Sequence, residues 1–294
     1  MFVILEKKRL NPDVLEMKVS APRVAEFAQP GQFVIVIPDK TGERVPLTIC
    51  DYDRKAGSVT IVFQVVGLST RKMARLEKGD AFADFVGPLG KSSELISESP
   101  EELSGKNILF IAGGVGAAPI YPQMKWLNSH GKKADLILGA RDAGQLILVK
   151  ELKENANKVF ITTNDGSAGT KGFVTGPLND LLLNRSCHYD RIIAIGPLIM
   201  MKSVADLTRS FNVKTIVSLN PLMIDGTGMC GACRVTIGNQ TKFTCVDGPE
   251  FDGHLVNFEE AMRRQAMYKP EEKEHDHLCN MDLAVEESHS KSLK

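Results

Sequence analysis

Between residues 107 and 217 the chain alternates five short apolar runs with four segments of helical character, and this alternation restricts its fold more than any other feature. The apolar runs are 107–112, 134–139, 158–162, 191–195 and 213–217; the helical segments lie near 120–128, 144–154, 175–184 and 198–210. Strands that are apolar along their whole length belong in a sheet covered on both faces. The helices between them are the crossovers that parallel strands require. The expectation is a parallel α/β domain over residues 105–220.

Three of those runs end in glycine-rich loops. Gly113-Gly114-Val115-Gly116-Ala117-Ala118-Pro119 follows the first run, a stretch at 164–172 holding Asp165, Gly166 and Ser167 follows the third, and Gly196-Pro197 follows the fourth. Open α/β sheets bind ligands at the carboxyl ends of their strands, and glycines there let a diphosphate reach the backbone at a helix N-terminus. The first loop lacks the G-x-G-x-x-G spacing, so a tight turn remains an alternative reading.

Residues 1–95 have another character. Runs rich in β-branched residues, 32–37 and 58–66, are separated by Pro30-Gly31, Thr41-Gly42, Ala56-Gly57 and Lys78-Gly79-Asp80, which suggests a β-barrel or sandwich. A polar linker with a helix start occupies 91–106. Lys plus Arg and Asp plus Glu both number 36, so no bulk charge favours nucleic acid. No apolar run is long enough to span a membrane, and the start lacks the basic-then-apolar order of a signal peptide, so a cytoplasmic protein is expected. Residues 269–294 are charged and read as a flexible tail, with metal binding by 274–279 the lesser alternative.

Residues 221–268 contain Asp225, Cys230, Cys233 and Cys245, a D-x4-C-x2-C-x11-C pattern. The plant-type [2Fe–2S] loop has C-x4-C-x2-C…C, and this segment keeps the spacing with Asp in the first slot. Gly226, Gly228 and Gly231 supply the positive φ and close approach that such a loop needs. Structural zinc and unrelated thiols are the alternatives for the cysteines, and a turn role is the alternative for Asp225. Cys50 and Cys187 read as ordinary thiols.

A β domain, a nucleotide-binding α/β domain and a cysteine loop, in that order, resemble the ferredoxin–NADP reductase superfamily. Within it the chain is similar to the small subunits of NAD-dependent ferredoxin:NADP oxidoreductases, with dihydroorotate dehydrogenase electron-transfer subunits as near relatives. Arg44-Val45-Pro46-Leu47-Thr48 resembles the flavin strand, with Thr48 near flavin N5, Leu47 where the family stacks Tyr, and Arg44 one residue displaced. Val66, Gly67, Ser69 and Thr70 resemble the flavin phosphate loop, though Ser69 and Thr70 also suit helix capping. Gly87-Pro88-Leu89-Gly90 resembles a barrel-closing turn.

Gly113, Gly114, Val115, Gly116, Ala118 and Pro119 match the family's nicotinamide loop. Gly139-Ala140-Arg141 and Asp165-Gly166-Ser167 match nucleotide-side segments, and Gly196, Pro197 and Met200 match C-G-P-x-x-M-M with Ile195 in place of Cys. The resemblance implies an FAD-binding antiparallel β-barrel (1–95), a Rossmann-like NAD domain (105–220) and a [2Fe–2S] lobe (221–268) ligated by Asp225, Cys230, Cys233 and Cys245. It implies NAD(H)-linked electron transfer beside a larger flavin/[4Fe–4S] subunit. That pair would link NAD(H), NADP(H) and ferredoxin as an electron-bifurcating transhydrogenase. The alternatives are the dihydroorotate dehydrogenase subunit and a zinc-stabilised nucleotide-binding adaptor. Arg141 and Lys171 are candidates for a 2′-phosphate, or surface residues.

Overall fold

The computed structural model describes residues 1–40, 42–184 and 188–272. The expectations for Cys187, for the 274–279 cluster and for the tail beyond 272 lie outside the described residues.

The N-terminal strands are β1 (Phe2–Asn11), β2 (Val14–Ser20), β3 (Phe33–Ile37), β4 (Val45–Asp53), β5 (Ser58–Gln64), β6 (Ala81–Phe82) and β7 (Asp84–Leu89), with α1 (Pro22–Phe27) and α2 (Leu68–Arg75) between them. They pair antiparallel in the order β6-β1-β2-β5-β4-β3-β7. The edge strands β6 and β7 are separated by Ala83, whose N–H donates to Ile37 O at 3.0 Å, so the sheet curls into a nearly closed barrel. Alternation fills its interior with Met17, Val19, Val34, Val36, Ile49, Ile61 and Phe63. Gly87-Pro88-Leu89, expected as a turn, continues β7 as strand. The chain turns at Gly90, at φ 74°, where a Cβ would lie 2.8 Å from the Phe33 ring.

The linker forms a short 3-10 turn (Glu94–Ser97) and α3 (Pro100–Ser104). Ser99 and Glu102 cap α3 reciprocally, at 3.2 and 2.8 Å.

The second domain contains β8 (Ile108–Gly113), α4 (Ala117–Ser129), β9 (Ala134–Ala140), α5 (Val149–Asn155), β10 (Ala156–Thr163), β11 (Thr170–Lys171), α6 (Thr175–Leu183), β12 (Arg191–Ile195), α7 (Leu198–Ser210) and β13 (Lys214–Ser218). After them come the hairpin β14 (Arg234–Ile237) and β15 (Gln240–Phe243), α8 (Thr244–Asp247), β16 (Glu250–Asp252) and α9 (Phe258–Gln265). The large sheet runs β11-β10-β9-β8-β12-β13-β16, parallel except for β16.

Both faces of this sheet are covered, which is why its strands read as unbroken apolar runs. Phe110, Leu136, Leu138 and Ile193 enter one core, while Leu109, Ile111, Ile137 and Ile192 enter the other. The first core also takes Val14, Cys50 and Val62 from the barrel strands and Leu95 from the linker, so the two domains share apolar packing. The second takes Phe251, Val256, Phe258 and Ala261. Residues beyond the cysteine loop therefore also build onto the α/β sheet.

Candidate functional site

The strand order β10-β9-β8-β12-β13 reverses direction of growth between β8 and β12, the topological switch point at which sheets of this kind bind ligands. The two loops leaving these strands are packed against each other. A Cβ on Gly113 would lie 2.4 Å from Met200 Sδ and 3.1 Å from Pro197 Cδ. A Cβ on Gly116 would lie 2.0 Å from Ile195 O, and one on Gly196 would lie 3.1 Å from Gly113 Cα. These glycines allow the close approach of neighbouring loops. Gly114 differs: its φ is 56° and a Cβ there would meet nothing within 4 Å, so its bare backbone borders open space. Ala118 is buried at the start of α4, Pro119 is half-buried, and Val115 packs against the first core.

The neighbouring loops are tied together at the same edge. Asp165 N–H donates to Arg141 O at 3.3 Å, and Asn164 N–H donates to Ala140 O at 3.1 Å. Asp165 Oδ1 accepts from Ser167 Oγ–H at 2.7 Å and Ser167 N–H at 2.9 Å, and Ser167 Oγ accepts Ala143 N–H at 2.8 Å. The Ser167 hydroxyl is the chief cause holding the Asp165 carboxyl below its ordinary range. A Cβ on Gly139 would strike Val174 Cγ1 at 2.3 Å. Gly166 stands at φ 83°, and Arg141 and Lys171 are both exposed here.

On the barrel, β3 and β4 pair Phe33 with Thr48, Val34 with Leu47, Ile35 with Pro46 and Val36 with Val45. Directly paired residues share a face. Val34, Val36, Leu47 and Val45 pack in the barrel interior. Phe33 and Ile35, and with them Thr48 and Pro46, lie on the other face. The Leu47 and Val45 side chains, expected against flavin, therefore point into the barrel core. Arg44, one residue out of register with the family's flavin contact, reaches the cysteine loop: its Nε donates to Ile224 O at 2.7 Å and an Nη to Asp225 O at 3.4 Å.

The helix start at α2 is already organised internally. Thr70 Oγ1 accepts the N–H groups of Val66 and Gly67, each at 3.0 Å, from the third helical position; the N-cap is Gly67, not Ser69 or Thr70 as the sequence suggested. Buried Ser69 donates its hydroxyl to Glu43 Oε2 at 2.5 Å. Nothing local in the sequence linked Glu43 to Ser69.

The cysteine loop rests on the outer face of β3. Cys233 and Cys245, each 1% exposed, pack with Phe33, Ile35 and Met223, while Cys230 is exposed. Gly226, at φ 77°, comes so close to the barrel that a Cβ would lie 2.6 Å from Ile35 and 2.8 Å from Leu89. Gly228 and Gly231 have φ of 85° and 66°. Asp225 Oδ1 accepts Thr227 N–H and its Oδ2 accepts Cys230 N–H, both at 2.9 Å. These bonds, Thr227 first, hold the carboxyl below its ordinary range. Cys245 N–H donates to Cys233 Sγ at 3.4 Å. Burial, then the neighbouring Cys233 thiol, pushes Cys245 up to about 12, so metal loading there displaces a proton.

Three soft thiols and one hard carboxylate on a glycine-lined loop suit iron and sulfide. Three thiols and a carboxylate at the spacing of a plant-type loop fit a [2Fe–2S] cluster. Cys50 is fully buried and burial raises its thiol well above the ordinary value, which accords with an inert role.

Glu250 was not singled out by sequence. Its Oε1 accepts Gln123 Nε2–H at 2.6 Å, and Ser93 Oγ lies 3.3 Å from Gln123 Oε1. The carboxyl thus sits where the linker, α4 and β16 meet, and burial raises it to about 7. Only long-range packing assembles this group.

Comparison with known proteins accords with this architecture. Residues 220–257 match the iron-sulfur cluster binding domain of dihydroorotate dehydrogenase B. A Clostridium beijerinckii protein described as an uncharacterized protein in the adh 3′ region is 56% identical over 272 residues, 92% of each chain. A Thermotoga maritima homolog of the dihydroorotate dehydrogenase B (NAD(+)) electron transfer subunit is 43% identical over 270 residues, again 92% of each chain. The solved NADH-dependent reduced ferredoxin-NADP oxidoreductase superposes with a TM-score of 0.88 at 41% identity, covering 96% of this chain and 98% of that one. The fold is therefore that of ferredoxin–NADP reductase-type electron-transfer proteins. Within that class, the chain belongs to the family of dihydroorotate dehydrogenase B electron-transfer subunits. No helix among the described residues is long and apolar enough to cross a membrane.

Proposed function

We propose that the chain is the small, FAD- and [2Fe–2S]-carrying subunit of an NADH-dependent ferredoxin:NADP oxidoreductase. The observation that carries this reading is the seating of the cysteine loop on the strand pair that presents Thr48: Phe33, Thr48's cross-strand partner, packs with Cys233 and Cys245. One wall thus serves both the flavin strand and the iron–sulfur loop, with the glycine loops of the α/β sheet as the third part.

When bound, FAD exchanges a two-electron hydride with NAD(H) and single electrons with the cluster. The chain's residues supply position. Gly114 leaves backbone open to the nucleotide, the Gly113–Gly196 contact fixes the switch-point loops, and Asp165 and Ser167 order the neighbouring rim. Thr48 Oγ1 offers a hydrogen bond at flavin N5. Val66, Gly67, Ser69 and Thr70 would border the diphosphate, with the Ser69 hydroxyl, bonded here to Glu43, as a donor to it. Cys230, Cys233 and Cys245 would hold the irons, with Asp225 as the fourth ligand.

A larger flavin/[4Fe–4S] subunit completes the enzyme, linking NAD(H) to NADP(H) and ferredoxin. Support comes from the solved ferredoxin-NADP oxidoreductase, similar over almost its full length. A second reading, the electron-transfer subunit of a dihydroorotate dehydrogenase, is favoured by the names of the relatives and of the matched domain. The test is anaerobic reduction of the purified protein with NADH and then NADPH, followed by absorption and EPR, with iron and sulfide assayed. Flavin bleaching and a reduced [2Fe–2S] signal with NADH are expected. Protein without iron and sulfide refutes the proposal. Copurification with a dihydroorotate-oxidising subunit selects the second reading.

A further inference from the structure

Arg44 directly precedes the Thr48 strand, one residue out of register with the family's flavin contact, and its side chain reaches the cysteine loop. Its position explains why. Arg44 and Thr48 are four residues apart and share strand parity, as do Pro46 and its partner Ile35. That face looks toward the cysteine loop, where Ile35 and Phe33 meet Met223, Cys233 and Cys245. Val45, next in sequence, turns into the barrel. The Arg44 guanidinium continues the outward row and bonds the carbonyls of Ile224 and Asp225 at 2.7 and 3.4 Å.

We propose that Arg44 is a positioning residue for the iron–sulfur loop: it fixes the backbone at the first ligand slot and places a permanent positive charge beside the cluster. The proposal rests on the reading of the cysteine loop given above. Both peptides after the bonded carbonyls are trans. Their carbonyls face Arg44, so the N–H groups of Asp225 and Gly226 face away from it. This orientation is set before the chain reaches the Thr227 and Cys230 N–H groups that Asp225 itself accepts. Guanidinium bonds to two acceptors are directional, and guanidinium does not lose its charge at any working pH. A cation near the cluster favours the form carrying the additional electron. Arg44 thereby couples the flavin strand mechanically to the cluster loop and raises the cluster's midpoint potential.

The test compares wild type, Arg44→Gln and Arg44→Lys as full-length, anaerobically purified protein. Three quantities are measured: the cluster midpoint potential by EPR-monitored titration, iron release to a chelator, and flavin content. Arg44→Gln should shift the reduction equilibrium about tenfold toward the oxidised form, a midpoint lower by about 59 mV, and should release iron about tenfold faster. Arg44→Lys keeps the charge and loses the fork, so it should restore the midpoint but not the slow release. Should Arg44→Gln fail to assemble a cluster, Arg44→Lys decides alone: wild-type midpoint with faster release upholds the proposal, and wild-type release overturns it. Unchanged midpoint in Arg44→Gln overturns it, as does loss of flavin with an unaltered cluster. Absence of iron and sulfide from the wild-type protein defeats the functional reading instead, before any variant is compared.

Discussion

Glu250 makes a quantitative statement about stability and pH. Its carboxyl is raised to about 7 from an ordinary 4.5 by burial at the junction of linker, α4 and β16. Between those values the folded protein keeps the proton while the unfolded chain has lost it. Stability therefore falls as pH rises, by about 1.4 kcal/mol per pH unit at most. The interval, 7 minus 4.5, is 2.5 units, so ionisation costs on the order of 3 kcal/mol by pH 8. Glu250→Gln keeps an acceptor for Gln123 Nε2–H and has no proton to lose. Melting temperatures of wild type and Glu250→Gln, measured from pH 4.5 to 8, should diverge between pH 5 and 7. The variant should gain roughly 6–12 °C relative to wild type over that range. A gap that is the same at pH 4.5 and pH 8 would show that the carboxyl is ionised in the fold and refute the argument.

Other substitutions test the remaining sites. Gly116→Ala drives a Cβ into Ile195 O at 2.0 Å and should cost about 3 kcal/mol in urea unfolding. Gly114→Ala meets open space at φ 56°; it should cost roughly 1–2 kcal/mol and chiefly raise KM for NADH. Asp225→Cys should change the EPR spectrum of the reduced cluster, and an unchanged spectrum would exclude Asp225 from the iron. Thr48→Val should slow NADH-dependent flavin bleaching about fivefold, as expected for losing a hydrogen bond of about 1 kcal/mol, with an unaltered melting temperature.

The α/β domain was legible because its signals are local. The 191–195 run is observed as Arg191–Ile195 and the 198–210 segment as Leu198–Ser210, since strands buried on both faces leave no ambiguity of phase. The helix expected near 144–154 begins later, at Val149, because Asp142 accepts Gln145 N–H at 3.2 Å and holds a 3-10 turn first. The cysteine spacing was equally readable. What sequence did not reveal depends on contacts between distant segments. Arg44 reaches Ile224 across 180 positions, and Gln123 reaches Glu250 across 127. β16 adds to an α/β sheet whose last strand was expected at 213–217, and three residues of strand are too few to announce themselves. Local motif reading also assigned glycines to ligand approach. Gly113, Gly116 and Gly139 also stand against neighbours within the protein, a constraint that no local pattern carries.

The cysteines flanking the hairpin pack on Phe33, Ile35 and Leu89 of the barrel, while Val235 within the hairpin enters the core that holds Val256 and Phe258. Excised as a peptide, the hairpin would keep its thiols but not their spacing, and the barrel would be left with bare aromatic and aliphatic wall. Of the three loop thiols Cys230 alone meets solvent, while Cys233 and Cys245 are walled in against the barrel strand. Anyone transplanting this electron carrier into another scaffold must therefore move the third and fourth strands along with it.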